Sequence, residues 1–141
     1  MINVPINYVA VILAAVANMV MGFLWFGPIF GKQWIKMMGI TPQQIEEAKK
    51  KGMTQSYIIA FVGSFITAWV LAELAVFVES YLLIGAVAAG LKAGFLGWLG
   101  FTLLPLLNSV AWEGKSWNLW FLNASYYLVA LMVMGAIVSW M

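Results

Sequence analysis

The sequence has 141 residues, 65% of them hydrophobic and 9% charged, with a formal net charge of +2. So large an apolar share, well above the roughly half found in soluble domains, excludes a water-soluble globular fold, and so small a charge gives no reason to expect a nucleic-acid partner. Cys, His, Asp and Arg are all missing, which removes ordinary zinc, haem and iron–sulfur ligation, disulfides, the Ser-His-Asp triad and aspartyl dyads, so neither an enzyme nor a cofactor nor a metal is expected.

The first predicted element is a membrane span over residues 6–26, since a crossing helix needs about 20 mostly apolar residues. No basic residue precedes it and the apolar run continues past Ala15-Val16-Ala17, so the segment is expected to stay as a span rather than be cleaved as a signal peptide. Asn18 lies on a small, polar stripe with Ala14 and Gly22, a pattern suited to interhelical hydrogen bonding or to a ligand. Gly27-Pro28 should end or kink the helix. Beyond it, Gly31-Lys32-Gln33-Trp34 with Ile35, Met37 and Met38 reads as a segment at headgroup level.

Thr41-Pro42-Gln43-Gln44 carries a capping-box pattern with proline at the first helical position. It predicts a short extramembrane helix over 41–51, closed by Gly52. Glu46 with Lys50, and Glu47 with Lys51, stand one turn apart on it in the favourable orientation. The helix is either a plain solvated linker or a lysine-rich docking surface for anionic lipid or a protein partner.

The second span is predicted over 55–78 and the third over 82–107, with Glu79, Ser80 and Tyr81 as the whole turn between them. Each contains one charge, Glu73 and Lys92. Each would cost about 2.5–3.5 kcal/mol at a helix centre, so neither is expected to face lipid unpaired. Measured from that turn at about 1.5 Å per residue, Glu73 lies roughly 9 Å deep and Lys92 roughly 15 Å. They are expected to form an intramembrane charge pair, within the chain or across a subunit interface, that either sets helix register or serves ion, proton or substrate binding. Gly90, Gly94 and Gly97 supply a helix-packing surface that favours a homo-oligomer. Pro105 should bend or end the third span.

A fourth span is predicted over 117–140. Asn108, Ser109, Asn123 and Tyr127 are the best remaining polar set, and with Asn18 they are the candidates for a pocket. Lys32, Lys36, Lys49, Lys50 and Lys51 fall in the first loop and Lys115 in the third, which places both loops in the cytoplasm and both termini outside. The fold expected is therefore all-α, a single integral membrane four-helix bundle with a short cytoplasmic helix in its first loop, partnered by the lipid bilayer.

Gly31-Lys-Gln-Trp34 and Gly114-Lys-Ser-Trp117 echo each other, as do Gly22-Phe-Leu24 and Gly94-Phe-Leu96. They are read either as a parallel repeat or as two interfacial stop signals. The stretch from Gly22 to Trp34, with Glu113-Gly-Lys-Ser-Trp117 and the region from Asn123 to Tyr127, resembles the domain-of-unknown-function family 1761, small four-span membrane proteins of bacteria and fungi. The resemblance covers nearly the whole chain and implies a bacterial inner-membrane location, without implying an activity. Two functions fit these residues: a small homo-oligomeric transporter or channel for an ion or small solute, or a structural, partner-binding membrane subunit.

Overall fold

The computed structural model describes residues 6–140. The terminal positions 1–5 and 141, expected outside the membrane, lie outside the described residues. Four helical stretches, Tyr8–Ile29, Thr54–Leu82, Ala86–Ala111 and Trp117–Trp140, are long and apolar enough to cross a bilayer.

Helix α1 (Tyr8–Leu24) starts two residues later than expected because the Asn7 side chain accepts from the amides of Val9 (3.1 Å) and Ala10 (3.4 Å), which fixes Asn7 as the cap. The helical stretch that it opens runs on to Ile29, past the expected stop at 26. Pro28 has no amide and its ring would strike the carbonyl one turn back, so the chain widens into a π turn over Trp25–Ile29, closed by Phe30 N–H donating to the Trp25 carbonyl at 2.9 Å. Helix α2 (Gly31–Met38) follows at once and ends at Gly39, whose φ of 70° is left-handed. Helix α3 (Pro42–Lys51) has the expected capping box, with Thr41 Oγ1 accepting from Gln44 N–H (3.2 Å) and Gln44 Oε1 accepting from Thr41 N–H (3.0 Å). Among the described residues the Glu46–Lys50 and Glu47–Lys51 pairs do not close to ion-pair distance. Water solvates all four exposed chains, and holding two long side chains together costs the entropy such a pair would need to recover.

Helix α4 (Thr54–Leu82) runs through Glu79-Ser80-Tyr81, so the expected turn moves four residues on, to 83–85. Nothing in Glu79-Ser80-Tyr81 breaks a helix, whereas Leu83 adopts a left-handed φ of 55° and Gly85 starts the next helix. Helix α5 (Ala86–Trp98) passes into a second π turn (Leu99–Leu103) and then α6 (Leu104–Ala111). Pro105 sits in the first turn of α6, where its missing amide is tolerated, which is why the span runs past the expected stop at 107. Helix α7 (Trp117–Trp140) closes the bundle, with Ser116 Oγ accepting from Leu119 N–H at its start.

Helices α4 and α7 touch across the middle, and α1 and α5 lie on opposite sides of that pair, each packed on both. The most extensive interface is α5 on α7, where Gly90 faces Gly135 and Gly94 faces the Leu131 carbonyl so closely that no Cβ would fit. The centre holds Val11, Ala14, Ala68, Leu71, Ala72, Tyr126, Ala130, Leu131 and Met134. Alanine at so many central positions lets four backbones approach with only a few large side chains between them. Large apolar groups point outward all round the bundle, as lipid requires, with Phe101 83% exposed.

Candidate functional site

Three polar side chains from three helices meet in the interior. Asn18 of α1 donates from Nδ2 to Ser64 Oγ of α4 at 2.7 Å. Tyr126 of α7 donates from its hydroxyl toward Asn18 Oδ1 at 2.7 Å and the Asn18 backbone carbonyl at 3.1 Å. Counted along their helices from Ile29, Thr54 and Trp117, the ends of the spans nearest the lysine-bearing loops, the three lie about 13–16 Å deep, close to the middle of a hydrocarbon layer about 30 Å thick. Hydrocarbon at that depth offers no partner to a stray donor or acceptor, so these groups bond within the chain.

Ser64 belongs to the buried stripe of α4 with Ala68, Leu71, Ala72 and Ala75. Tyr126 belongs to that of α7, between Leu122 and Ala130. Gly22, one turn below Asn18, leaves room for the phenol, since a Cβ there would lie 2.9 Å from the Tyr126 hydroxyl. Beside the triad a cavity of about 240 Å³ opens between α1 and α4, lined by Asn18, Gly22, Ser64 and Tyr126 with Met19, Phe23, Tyr57 and Ala60. No ionisable carboxylate or amine lines it. A second hollow, sharing Met19 and Tyr57, continues along α4 to Thr54.

Toward the loop end, aromatic rings pack beneath the triad. Phe26 meets Tyr126 edge-on at 5.0 Å and Trp34 at 5.5 Å, and Trp25 lies 6.1 Å from Tyr126 and 4.9 Å from Phe30. The Trp25 indole N–H is buried with no hydrogen-bond partner among the described residues. Two other tryptophans tie the third span to the fourth: Trp98 Nε1 donates to the Ala124 carbonyl at 2.8 Å and Trp120 Nε1 to the Leu103 carbonyl of the second π turn at 3.3 Å. The two Gly-Phe-Leu segments thus lead alike into a π turn that starts within five residues of the glycine.

Glu73 is half-buried and Lys92 exposed, and no ion pair joins them among the described residues. With the turn at 83–85, their depths exchange: Glu73 lies about 14 Å from the α4 end and Lys92 about 9 Å from the α5 start. Gly90 and Gly94 pack on α7 of the same chain, and a Cβ at Gly97 would meet nothing within 4 Å.

Of the remaining candidates, only Asn18 enters the triad. Asn108 is exposed, Ser109 Oγ donates to the Leu106 carbonyl of its own helix at 2.8 Å, and Tyr127 is 41% exposed with its ring against Tyr126. No hydrogen bond joins any two of Asn108, Ser109, Asn123 and Tyr127 among the described residues. Ser64 and Tyr126, absent from the sequence-based set, are the residues that complete the site. Their signal is positional, since both fall on the buried stripe of their helix.

At the loop end, α2 packs on the start of α7, with Gln33 and Met37 across a hollow from Asn118 and Phe121. The loops carrying Lys32, Lys36 and Lys115 therefore share one end of the bundle. In comparisons with known proteins, residues 9–139 match a family described as protein of unknown function (DUF1761). No curated protein and no solved structure matches the chain.

Proposed function

The chain belongs to the protein family of unknown function DUF1761, and from the polar site inside its four-span bundle we propose that it is a carrier for a small, uncharged, hydrogen-bonding solute. The observation behind this reading is the triad of Asn18, Ser64 and Tyr126 at mid-membrane depth, opening on a cavity of about 240 Å³ between α1 and α4. Hydrogen-bonding groups are costly at that depth and mark binding sites in membrane proteins. The lining offers hydroxyl and amide groups with no counter-charge, which suits a neutral solute and disfavours an ion. This role involves no bond-making step and no cofactor. The lysines gathered at one end support an orientation with that end cytoplasmic and both termini outside, and the family resemblance supports a plasma-membrane placement, inner membrane in a bacterium.

A second reading is favoured by the hydrogen bonds themselves, because Ser64 and Tyr126 are both already bonded to Asn18. In that case the protein is a structural or partner-binding subunit, with the lysine-rich helix α3 as the docking surface for protein or anionic lipid. Proteoliposome swelling with glycerol and urea as probes separates the two, with trapped pH dye reporting proton flux in parallel. The carrier reading expects probe entry above empty liposomes and its loss in Ser64→Leu. Proton flux without solute entry would shift the site to Glu73, with Glu73→Gln as the check. No flux of either kind would leave the structural reading.

A further inference from the structure

Among the described residues neither charge inside the spans has an ion-pair partner, yet a bilayer does not leave them so. From this we infer that two copies of the chain associate side by side through the outer α4–α5 groove, closed by two reciprocal ion pairs, Glu73 of each copy with Lys92 of the other.

The placement of the charges carries the argument. Glu73 follows Ser64 by nine residues, a rotation of about 180° at 100° per residue, so it lies opposite the buried stripe of α4, on the outward face of the helix. Helices α1 and α5 occupy opposite sides of the α4–α7 pair, and since Ser64 meets α1, this outward face turns away from α1 and toward the α5 side. On α5, Lys92 is two residues from Gly90, which faces α7, and next to the buried Ala93 on the other flank. Both charges therefore border the groove between α4 and α5 on the outside of the bundle. Glu73 shares its ridge with the exposed Trp69 and Phe77, and Lys92 shares its own with the exposed Ala88 and Leu96.

A two-fold axis along the membrane normal sets both copies at the same depth, so that residue i of one meets residue j of the other and the reverse. Glu73 and Lys92 then differ by only about 5 Å in depth, which the four-carbon lysine stem spans. Each pair neutralises two charges that lipid would otherwise have to solvate, and the symmetry makes both pairs at once. The close glycine face of α5 plays no part in this contact, because α7 of the same chain already fills it.

The inference stands apart from the carrier reading, since it uses neither the triad nor its cavity. Because the chain contains no cysteine, one cysteine in place of Glu113 gives a clean site for donor and acceptor dyes. Energy transfer between copies is then followed in liposomes as the protein is diluted with lipid. Association of the parent protein is expected, and Glu73→Gln or Lys92→Met, each sparing the fold while breaking both pairs, should weaken it on the order of a hundredfold. Charge reversal gives the sharper result. Glu73→Lys alone and Lys92→Glu alone should each be monomeric, whereas a mixture of the two should associate, because that heterodimer restores both pairs. Rescue only when both reversals are placed in one chain would mean that the pair forms within a chain, and would overturn the inference. So would a parent protein that is monomeric at every dilution, or an association that Glu73→Gln and Lys92→Met leave unchanged.

Discussion

Tyr126→Phe removes one hydroxyl from the middle of the bundle and leaves the ring in place. The Asn18 amide stays on Ser64, but Asn18 Oδ1 loses its 2.7 Å donor. Stranding a buried acceptor costs about 1–3 kcal/mol in soluble proteins, and interhelical hydrogen bonds in membranes average about 0.6 kcal/mol with a maximum near 1.7. The short distance and the lack of an alternative donor place this case near the upper membrane figure, at about 1.5 kcal/mol. Asn18→Leu should cost less, about 0.5–1 kcal/mol, although it too removes two hydrogen bonds. After it the Tyr126 hydroxyl keeps the backbone carbonyl of position 18, 3.1 Å away, and Ser64 can turn to a carbonyl of its own helix. The double variant should therefore be more stable than the sum of the two losses by about 1 kcal/mol, because Asn18 has no oxygen left to strand. Unfolding in mixed micelles by added dodecyl sulfate measures all four proteins, read by tryptophan fluorescence, for which Trp25 is a near reporter at 6.1 Å from the Tyr126 ring. Strict additivity, or an Asn18→Leu loss larger than that of Tyr126→Phe, would refute the assignment of these three groups to one network.

Gly94→Ala places a methyl group against the Leu131 carbonyl and 3.0 Å from Met132 Cα, backbone that cannot swing aside, so the same unfolding assay should show a loss of about 2–3 kcal/mol. Gly97→Ala, which meets nothing within 4 Å, should be neutral or stabilising by up to about 1 kcal/mol through helix propensity. Thr41→Ala breaks the capping box of α3 at a cost of about 1 kcal/mol, seen as faster amide exchange over 42–51 with the spans unchanged. Trp98→Phe removes the donor to the Ala124 carbonyl, and a loss of only about 0.5–1 kcal/mol is expected because that carbonyl keeps its place in the α7 ladder.

The four spans were legible in the sequence because hydrocarbon imposes a length and composition that few other settings do, and the structure has four such helices in the same order. Helix α3 was legible for a different reason: Thr41, Pro42, Gln44 and Gly52 each act within one turn of their own position. The hairpin between α4 and α5 was misplaced because its stop signal is weak. Leu83 takes the left-handed conformation that glycine or asparagine would advertise, so the turn is set by packing of the flanking helices and not by its own residues. Moving it by four residues exchanged the depths of Glu73 and Lys92, which shows how far one boundary error travels in an argument built on rise per residue.

The site was harder to read than the spans because it depends on rotation, not length. Asn123 and Tyr127 form as good a polar stripe as any on the fourth span, yet Tyr126, one residue away and about 100° round the helix, is the tyrosine that faces Asn18. An amphipathic helix in water announces its inner face by hydrophobicity, but in lipid both faces are apolar and that signal vanishes. What remains on α4 is size: Ser64, Ala68, Leu71, Ala72 and Ala75 form a buried stripe of mostly small residues. On α7 the buried stripe of Leu119, Leu122, Tyr126, Ala130 and Met134 recurs at spacings of three and four but is mostly large. Where two such buried stripes each carry one hydroxyl at matching depth, and a third helix brings an asparagine with a glycine one turn below it, the polar groups have no partners but each other. Stripe membership therefore ranks polar residues in this bundle better than mutual spacing does, and it selects Ser64 and Tyr126 ahead of Asn108, Ser109 and Tyr127.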